Sequence, residues 1–402
     1  EDTLEEEPVM YIGLDSHGLV NTAPRYPVDT LLDLCTGSGV QALVASRYAS
    51  QVTGIDVNPR ALRFARFNAQ FNNISNVTFI QGNLYQPLGK QRFDIIIANP
   101  PFVASPEQAL RFRDGGDNGE IVLAEIITRA AAHLNANGRL HIVTDLVDVA
   151  DYQRKLQHWW QGEPTDSLVL QTADRDAMLF AVPHVHQAFG QRFHDYNTEL
   201  ANWLDNLQQM PQPVAINFGY ILIHCHTDKT RPSSYYTRTI HNPSQPIDTQ
   251  VGDYFRQRQL INAPETQPLQ LTINPHIRFR VDSDTCGITT DITLFSPTSA
   301  YYTHYQIDDT VFQTLQAIAT RNISIVSSAD IAKQPILLDL LHKGVLSLHK
   351  TSSFATSDTS IINLQASQPT SISGDCKSAP SPSAIQEQAT ATTPTCLSSY
   401  CR

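Results

Sequence analysis

From residue 30 to residue 145 short apolar runs alternate with stretches of helical period, the pattern of a parallel sheet joined by crossover helices. Residues 30–34, 51–56, 77–81, 93–98 and 138–144 read as strands, and residues 39–47, 59–72 and 121–134 as helices. Polar or glycine residues follow each strand, so ligands are expected at the C-terminal edge of the sheet. A strand-like segment also stands close behind Glu1.

Beyond residue 145 the pattern loosens. It predicts a helix over 149–161, strands over 167–171 and 178–182, a helix over 193–207, and a strand over 214–225 that closes the sheet. Pro232, Pro243, Pro246 and Pro264 then break regular structure and mark a linker, which sets the boundary of the first domain, residues 1–230. A small α+β module over 240–350 follows, with strands over 269–273, 276–281 and 301–307 and helices over 309–319 and 335–343. Its Gly344-Val345-Leu346-Ser347-Leu348 run reads as the wing of a winged helix. From Thr351 onward Ser, Thr, Ala, Pro and Gln dominate, so residues 351–402 are expected to be a disordered tail.

Composition narrows the function classes. A chain of 402 residues, 41% hydrophobic, can bury two cores. Its net charge of -11 repels a phosphate backbone, and no basic cluster stands out along the sequence, so a protein or peptide partner is favoured over nucleic acid. The cysteines show no CxxC spacing and read as reduced thiols, and no run approaches the roughly 20 apolar residues of a membrane span. With no signal peptide at the start, the chain is expected to be cytoplasmic, and Glu1 in place of a Met leaves room for an earlier N-terminal region. Neither a metal nor a membrane is expected as a partner. His224-Cys225-His226 lacks further ligands nearby and reads as surface histidines, and Trp159-Trp160 as packing on the sheet.

The first strand delivers Asp33-Leu34-Cys35-Thr36-Gly37-Ser38-Gly39. Gly37 and Gly39 permit a sharp turn and a close backbone approach to a ligand. Residues 37–42 also fit the G-x-G-x-x-G/A dinucleotide fingerprint, and Asp56, ending the second strand, suits ribose hydroxyls in either case, so a nicotinamide dehydrogenase competes. Asp33 separates the two. An acid there repels a pyrophosphate and attracts the ammonium and sulfonium end of S-adenosylmethionine. The expected cofactor contacts are therefore Asp33, Cys35, Thr36, Gly37, Gly39 and Asp56, with Asn83 at the end of the third strand for the adenine amino group and Asn99.

The strand over 93–98 ends in Asn99-Pro100-Pro101-Phe102, the most specific signal in the chain. Two prolines stiffen the backbone and remove its N–H donors, leaving carbonyls as acceptors. A planar nitrogen is a poor nucleophile until its N–H groups are held. The Asn99 side-chain carbonyl and the Pro100 backbone carbonyl each accept one, while Phe102 packs on the planar group or faces the sulfonium.

In this order the residues resemble the class I methyltransferases, and within them the amino-methylating branch with an Asn-Pro-Pro-aromatic motif. The resemblance covers residues 28–145. Asp114-Gly115-Gly116-Asp117-Asn118-Gly119 and the following helix look like the segment after the motif in HemK-type enzymes, which methylate a glutamine side chain of release factors. Ribosomal-RNA guanine-N2 methyltransferases and "methyltransferase small" proteins share Asn-Pro-Pro-Phe. The resemblance implies a Rossmann-like methyltransferase sheet, S-adenosylmethionine as cofactor and transfer to a planar nitrogen, glutamine-type on a protein first and an RNA amino group second. The helical N-terminal domain of HemK-type enzymes is not seen in this sequence, and the C-terminal module is foreign to them. Residues 305–348 resemble winged modules such as the PqqD-like domains that grip leader peptides, yet Phe312, Leu315, Leu338 and Leu341 would pack alike in any small domain, which is the reading kept. A catalytically idle, cofactor-sensing scaffold is the alternative outside enzymes.

Overall fold

The computed structural model describes residues 8–107, 110–185, 192–210, 215–226, 229–240, 245–262, 269–321, 324–326, 331 and 333–350. Strands β1 (Val28–Leu34), β2 (Ala49–Asp56), β3 (Val77–Gln81), β4 (Phe93–Ala98), β5 (Leu134–Val147), β6 (Thr165–Arg175), β7 (Ile216–Cys225) and β8 (Ser234–Thr239) form one sheet in the order β3-β2-β1-β4-β5-β7-β6-β8. β1 to β5 pair in parallel, β7 runs against both β5 and β6, and β8 runs with β6. Helices α1 (Leu14–Thr22), α2 (Val40–Ala45), α3 (Pro59–Phe71), α4 (Ile121–His133), α5 (Tyr152–Trp159), α6 (Ala177–Ala181), α7 (Phe193–Gln208) and α8 (Asp248–Asn262) connect and cover the strands.

Alternation along each strand builds two cores. Leu32, Leu34, Ile96, Leu140 and Ile142 pack with Leu123, Ile126 and Ile127 of α4 and Leu156 of α5. Their neighbours Leu31, Ile95 and Ile97 pack with Ala42 of α2 and Leu62 and Ala65 of α3. Farther along that second face, Val143, Leu168, Leu170 and Leu222 are covered by Leu19 of α1 and by Val251, Tyr254 and Phe255 of α8.

Several expectations change. Residues 178–182, expected as a strand, lie largely in α6, because Asp176 accepts the Leu179 N–H at 2.8 Å and caps a helix there. An apolar run of five residues carries no period that separates the two states. The strand expected to close the sheet, β7, lies inside it between β5 and β6, and the edge is β8, past residue 230. The described part of the segment behind Glu1 holds a helix, α1, rather than a strand. The expected linker contains α8, whose Val251, Tyr254 and Phe255 recur at helical spacing.

Residues 269–350 build two antiparallel three-stranded sheets. One is β10 (Arg278–Ser283), β11 (Thr289–Phe295) and β12 (His304–Ile307), of which β11 had not been expected. The other places β9 (Leu269–Ile273) between β13 (Ser324–Val326) and β14 (Leu346–Lys350), so the run read as a wing supplies part of a paired strand. Gln257 of α8, 4% exposed, joins this sheet to the first unit of structure: it accepts the Leu348 N–H at 2.7 Å and donates to the Leu348 carbonyl at 3.2 Å. The tail at 351–402 lies outside the described residues.

Asp33 sits on the Leu31 face of β1, fully buried. One carboxylate oxygen accepts the Thr36 hydroxyl at 2.5 Å and the Ala42 N–H at 3.1 Å, tying the loop after β1 to the first turn of α2. The other is buried without a hydrogen-bond partner. Burial raises this carboxyl to about 7, against the opposing pull of those two donors.

Two outcomes follow from this packing. From about pH 4 to about pH 7 the unfolded chain releases the Asp33 proton while the folded chain keeps it, so stability falls as pH rises through that window and levels off above it. In Asp33→Asn this slope should vanish, so its melting temperature should gain on wild type between about pH 5 and about pH 8; parallel curves would refute the buried neutral acid. Gln257→Leu keeps volume but strands the Leu348 N–H and carbonyl, and chemical denaturation should show a loss of roughly 2 kcal/mol or more.

Candidate active site

The loop after β1 turns by three positive-φ residues, Cys35 (φ 56), Gly37 (φ 54) and Gly39 (φ 87). At Gly39 the reason is contact as well as φ: an added Cβ would lie 3.0 Å from the Ala65 Cβ of α3. The loop is closed by Thr36 N–H to the Ile55 carbonyl at 3.0 Å and Gly39 N–H to the Thr36 carbonyl at 2.8 Å. Asp56, at the tip of β2, accepts Gly37 N–H at 2.8 Å on one oxygen and Asn58 N–H at 2.8 Å on the other. Burial raises the Asp56 carboxyl, opposed by the backbone N–H groups of Asn58, Gly37 and Val57. Asn58 caps α3 through Arg60 and Ala61 N–H, so Asp56 is left to the cavity.

A cavity of about 570 Å³ opens at this edge of the sheet. Cys35, Thr36, Gly37 and Asp56 line one side of it, Asn83 another, and Asn99 and Pro101 a third. The volume falls in the range of small-molecule sites, roughly 300–1,000 Å³. Four strand ends thus contribute to one pocket, as the sequence pattern predicts.

Other expected residues stand elsewhere. Asp33 does not line the cavity; its carboxylate holds the loop, so the direct contact with a cationic cofactor end is corrected to a supporting one. Gly39 lies behind the loop against α3, and Pro100 is buried. Phe102 turns from the cavity and packs on Phe218, ring centroids 6.2 Å apart, because the next residues, Val103 and Ala104, enter the core formed by α6 and α7. It therefore covers neither an acceptor nor a sulfonium from this position.

The loop at Asn99–Phe102 is held by the glycine-rich segment that follows it. Val103 N–H donates to the Arg113 carbonyl at 2.9 Å, Gly115 N–H to the Val103 carbonyl at 2.9 Å, and Ser105 N–H to the Gly116 carbonyl at 3.1 Å. A Cβ at Gly119 (φ 73) would reach 2.2 Å from the Phe102 carbonyl oxygen, which requires glycine there. The Asp114–Gly119 segment and the proline motif form one zippered unit. Arg113 anchors it outward, donating to the His184 carbonyl at 3.2 Å with its guanidinium 5.3 Å from the Trp203 ring.

Sequence reasoning missed the wall made by α1 and the residues before it. Asn99 donates its side-chain NH2 to Asp15 at 2.8 Å and approaches the Ser16 hydroxyl at 3.5 Å. Ser16 and residues 8–11 line the cavity, as do Arg111, Phe112 and Asp114. An acid two residues behind Gly13 is a helix-start signal that marks Asp15, but with Gly18 inside and few apolar positions α1 has almost no period to read.

The lesser features have structural places. His226, past the end of β7, is 3.1 Å from Asp166, which also binds Arg231 and Ser234. Among the described residues no group of three His, Cys, Asp or Glu side chains could hold a metal ion, and no helix is long and apolar enough to cross a membrane. Trp159 and Trp160 pack on the α4 and α5 core.

The model of the family described as methyltransferase small domain matches residues 13–161. The release factor glutamine methyltransferase of Thermodesulfovibrio yellowstonii is 34% identical over 125 residues, 28% of this chain and 45% of that protein. The ribosomal protein uL3 glutamine methyltransferase of Bradyrhizobium diazoefficiens is 37% identical over 155 residues, 33% of this chain and 48% of that protein. The chain thus spans less than half the length of either relative. These matches favour the methyltransferase reading of the loop over the nicotinamide one, and residues 13–161 are similar to the methyltransferase small domain family.

Proposed function

We propose that this chain transfers a methyl group from S-adenosylmethionine to a planar nitrogen, the side-chain amide of a glutamine in a protein. The observation that carries the reading is the single cavity shared by the loop at Cys35–Gly37, by Asp56 and Asn83, and by Asn99 and Pro101. The donor set suits the cofactor: a cavity-lining carboxylate for ribose hydroxyls at Asp56, an amide for an adenine edge at Asn83, and room for close backbone approach at Gly37, where an added Cβ would meet nothing within 4 Å. When bound there, S-adenosylmethionine supplies an electrophilic methyl carbon on its sulfonium.

The protein's part is placement. Asn99 Oδ1, at the cavity wall, accepts one N–H of the acceptor amide. So held, the nitrogen would present its lone pair to the methyl group that the cofactor would supply, and the proton it sheds on methylation would leave to solvent water. Alignment supplies most of the rate, with no strong base required. The names of the two relatives, which act on a release factor and on ribosomal protein uL3, support a protein acceptor, and so does the net charge of -11. A cytoplasmic site of action belongs to the same proposal. So does a division after α8 rather than at residue 230 or 240, since β8 and α8 belong to the first sheet and its cover, with the sheets over 269–350 as an accessory module that recruits partners.

One observation favours an RNA amino group as a second reading. α3 exposes Phe64, Phe67 and Phe71 along one stripe, carries Arg60, Arg63 and Arg66, and has no acidic residue between Pro59 and Phe71. Aromatic rings beside guanidinium groups can stack bases near a phosphate backbone.

Tritiated-methyl transfer to cell extract, treated separately with protease and with RNase, separates the readings: label should survive RNase and be lost to protease, and the reverse would favour RNA. In Asn99→Ala the transfer rate should fall about 100-fold, well beyond any loss of calorimetric affinity for S-adenosylhomocysteine; full transfer would remove Asn99 from the mechanism. Cofactor binding with no transfer to any fraction would favour the idle scaffold.

A further inference from the structure

Asn99 can place an acceptor nitrogen only if its carbonyl, and not its NH2, faces the cavity. The two ends of a carboxamide have nearly the same shape, so packing alone chooses weakly between them. The choice here is made by charge. Asp15, 8% exposed, puts a carboxylate oxygen 2.8 Å from Asn99 Nδ2. A carboxylate has no hydrogen to donate, so the flipped Asn99 would set two acceptors against each other.

Asp15 is itself held in place by the docking of α1 on the sheet. The Thr22 hydroxyl is 2.9 Å from His141 Nε2 on β5, and Gly18 lies so close to Tyr220 of β7 that an added Cβ would come within 1.9 Å of its hydroxyl. The Asn21 carbonyl accepts the Ile247 N–H at 2.8 Å, and Arg25 covers the Val20 carbonyl at 2.7 Å. Leu19 and Ser16 are buried on the same helix. The helix is thus fixed at its middle and its end, which leaves its first turn beside Asn99.

We infer that Asp15 is a positioning residue for methyl transfer, acting through Asn99: it fixes the carboxamide orientation and, by withdrawing toward itself the positive end of the NH2 dipole, makes Asn99 Oδ1 a stronger acceptor. The second effect grows during reaction. As the acceptor nitrogen attacks, positive charge develops on its N–H, and an oxygen polarised in advance stabilises that charge more than it stabilises the bound amide. The inference rests on the methyl-transfer reading and names the group that makes Asn99 selective for an N–H donor.

A reciprocal exchange tests it. In Asp15→Asn the new amide can meet Asn99 in either orientation, and transfer to RNase-treated extract should fall about tenfold or more. In Asn99→Asp two carboxylates face each other and transfer should be lost. The double variant restores the hydrogen bond with donor and acceptor exchanged: the amide introduced on α1 donates its NH2 to the carboxylate introduced in the proline motif, whose second oxygen stays toward the cavity. Transfer should then recover about tenfold over Asn99→Asp. Calorimetry with S-adenosylhomocysteine and thermal melting accompany each variant. Unchanged transfer in Asp15→Asn, or a double variant no better than Asn99→Asp, overturns the inference, as does a loss in Asp15→Asn matched by loss of melting temperature and cofactor affinity. A readout independent of turnover is the side-chain NH2 pair of Asn99 in NMR spectra, assigned by its disappearance in Asn99→Asp. One proton of the pair should lie downfield in wild type and move upfield in Asp15→Asn; no change overturns the inference. If wild type transfers nothing while this shift is present, the fault lies with the proposed reaction and not with the Asp15 contact.

Discussion

β1 lies between β2 and β4, and Leu34 pairs in parallel with Ile55 on one side and Ala98 on the other. That register ends the three strands at one level, so the loop at Cys35–Gly39, the carboxylate of Asp56 and the side chain of Asn99 emerge together although 64 positions separate Cys35 from Asn99. The crossovers leave β1 toward β2 in one direction and reach β4 in the other, which opens a crevice at the switch. A one-residue slip at β1 and β4 would turn Leu34 and Ala98 out of their core and draw the acceptor motif away from the loop. Every later feature of the site presumes this pairing.

Acids near the crevice divide the work by burial. Asp33, wholly enclosed, shapes the turn through Thr36 and Ala42, and burial pushes its carboxyl up to about 7. Asp56 is held by backbone N–H groups, Gly37 and Asn58 among them, and still lines the cavity. Asp15 comes from a helix outside the parallel strands and orients Asn99 from behind. Removing any one of them would act at a different point: loop shape, the cavity wall at Asp56, or the Asn99 side chain.

The proline motif gains its rigidity from more than its own two rings. The segment Asp114–Gly119 runs against it with three backbone hydrogen bonds between residues 103–105 and 113–116, and α7 pins that segment from outside through Asn206 to the Asp117 carbonyl at 3.0 Å. Phe102 is drawn off the cavity into the core shared with α6 and α7. This side of the pocket is therefore an assembly of the motif, the glycine segment, α1 and the connection between β6 and β7.

The sequence by itself determined the parallel half of the sheet. Residues 77–81 and 93–98 have the bounds read from their apolar runs, and the glycine loop, Asp56, Asn83 and Asn99 were legible because a buried strand followed by polar residues leaves a local signature. Tertiary structure decided the rest. Alternation cannot tell whether the strand over 214–225 lies inside the sheet or at its edge, since both leave it apolar, and five apolar residues at α6 fit helix and strand equally. Asp33 was visible as an acid beside glycines, but whether its carboxylate faces a ligand or its own loop depends on which lone pairs Thr36 and Ala42 occupy. Asp15 left almost no trace, because its meaning lies in a contact across 84 positions that only the docking of α1 creates.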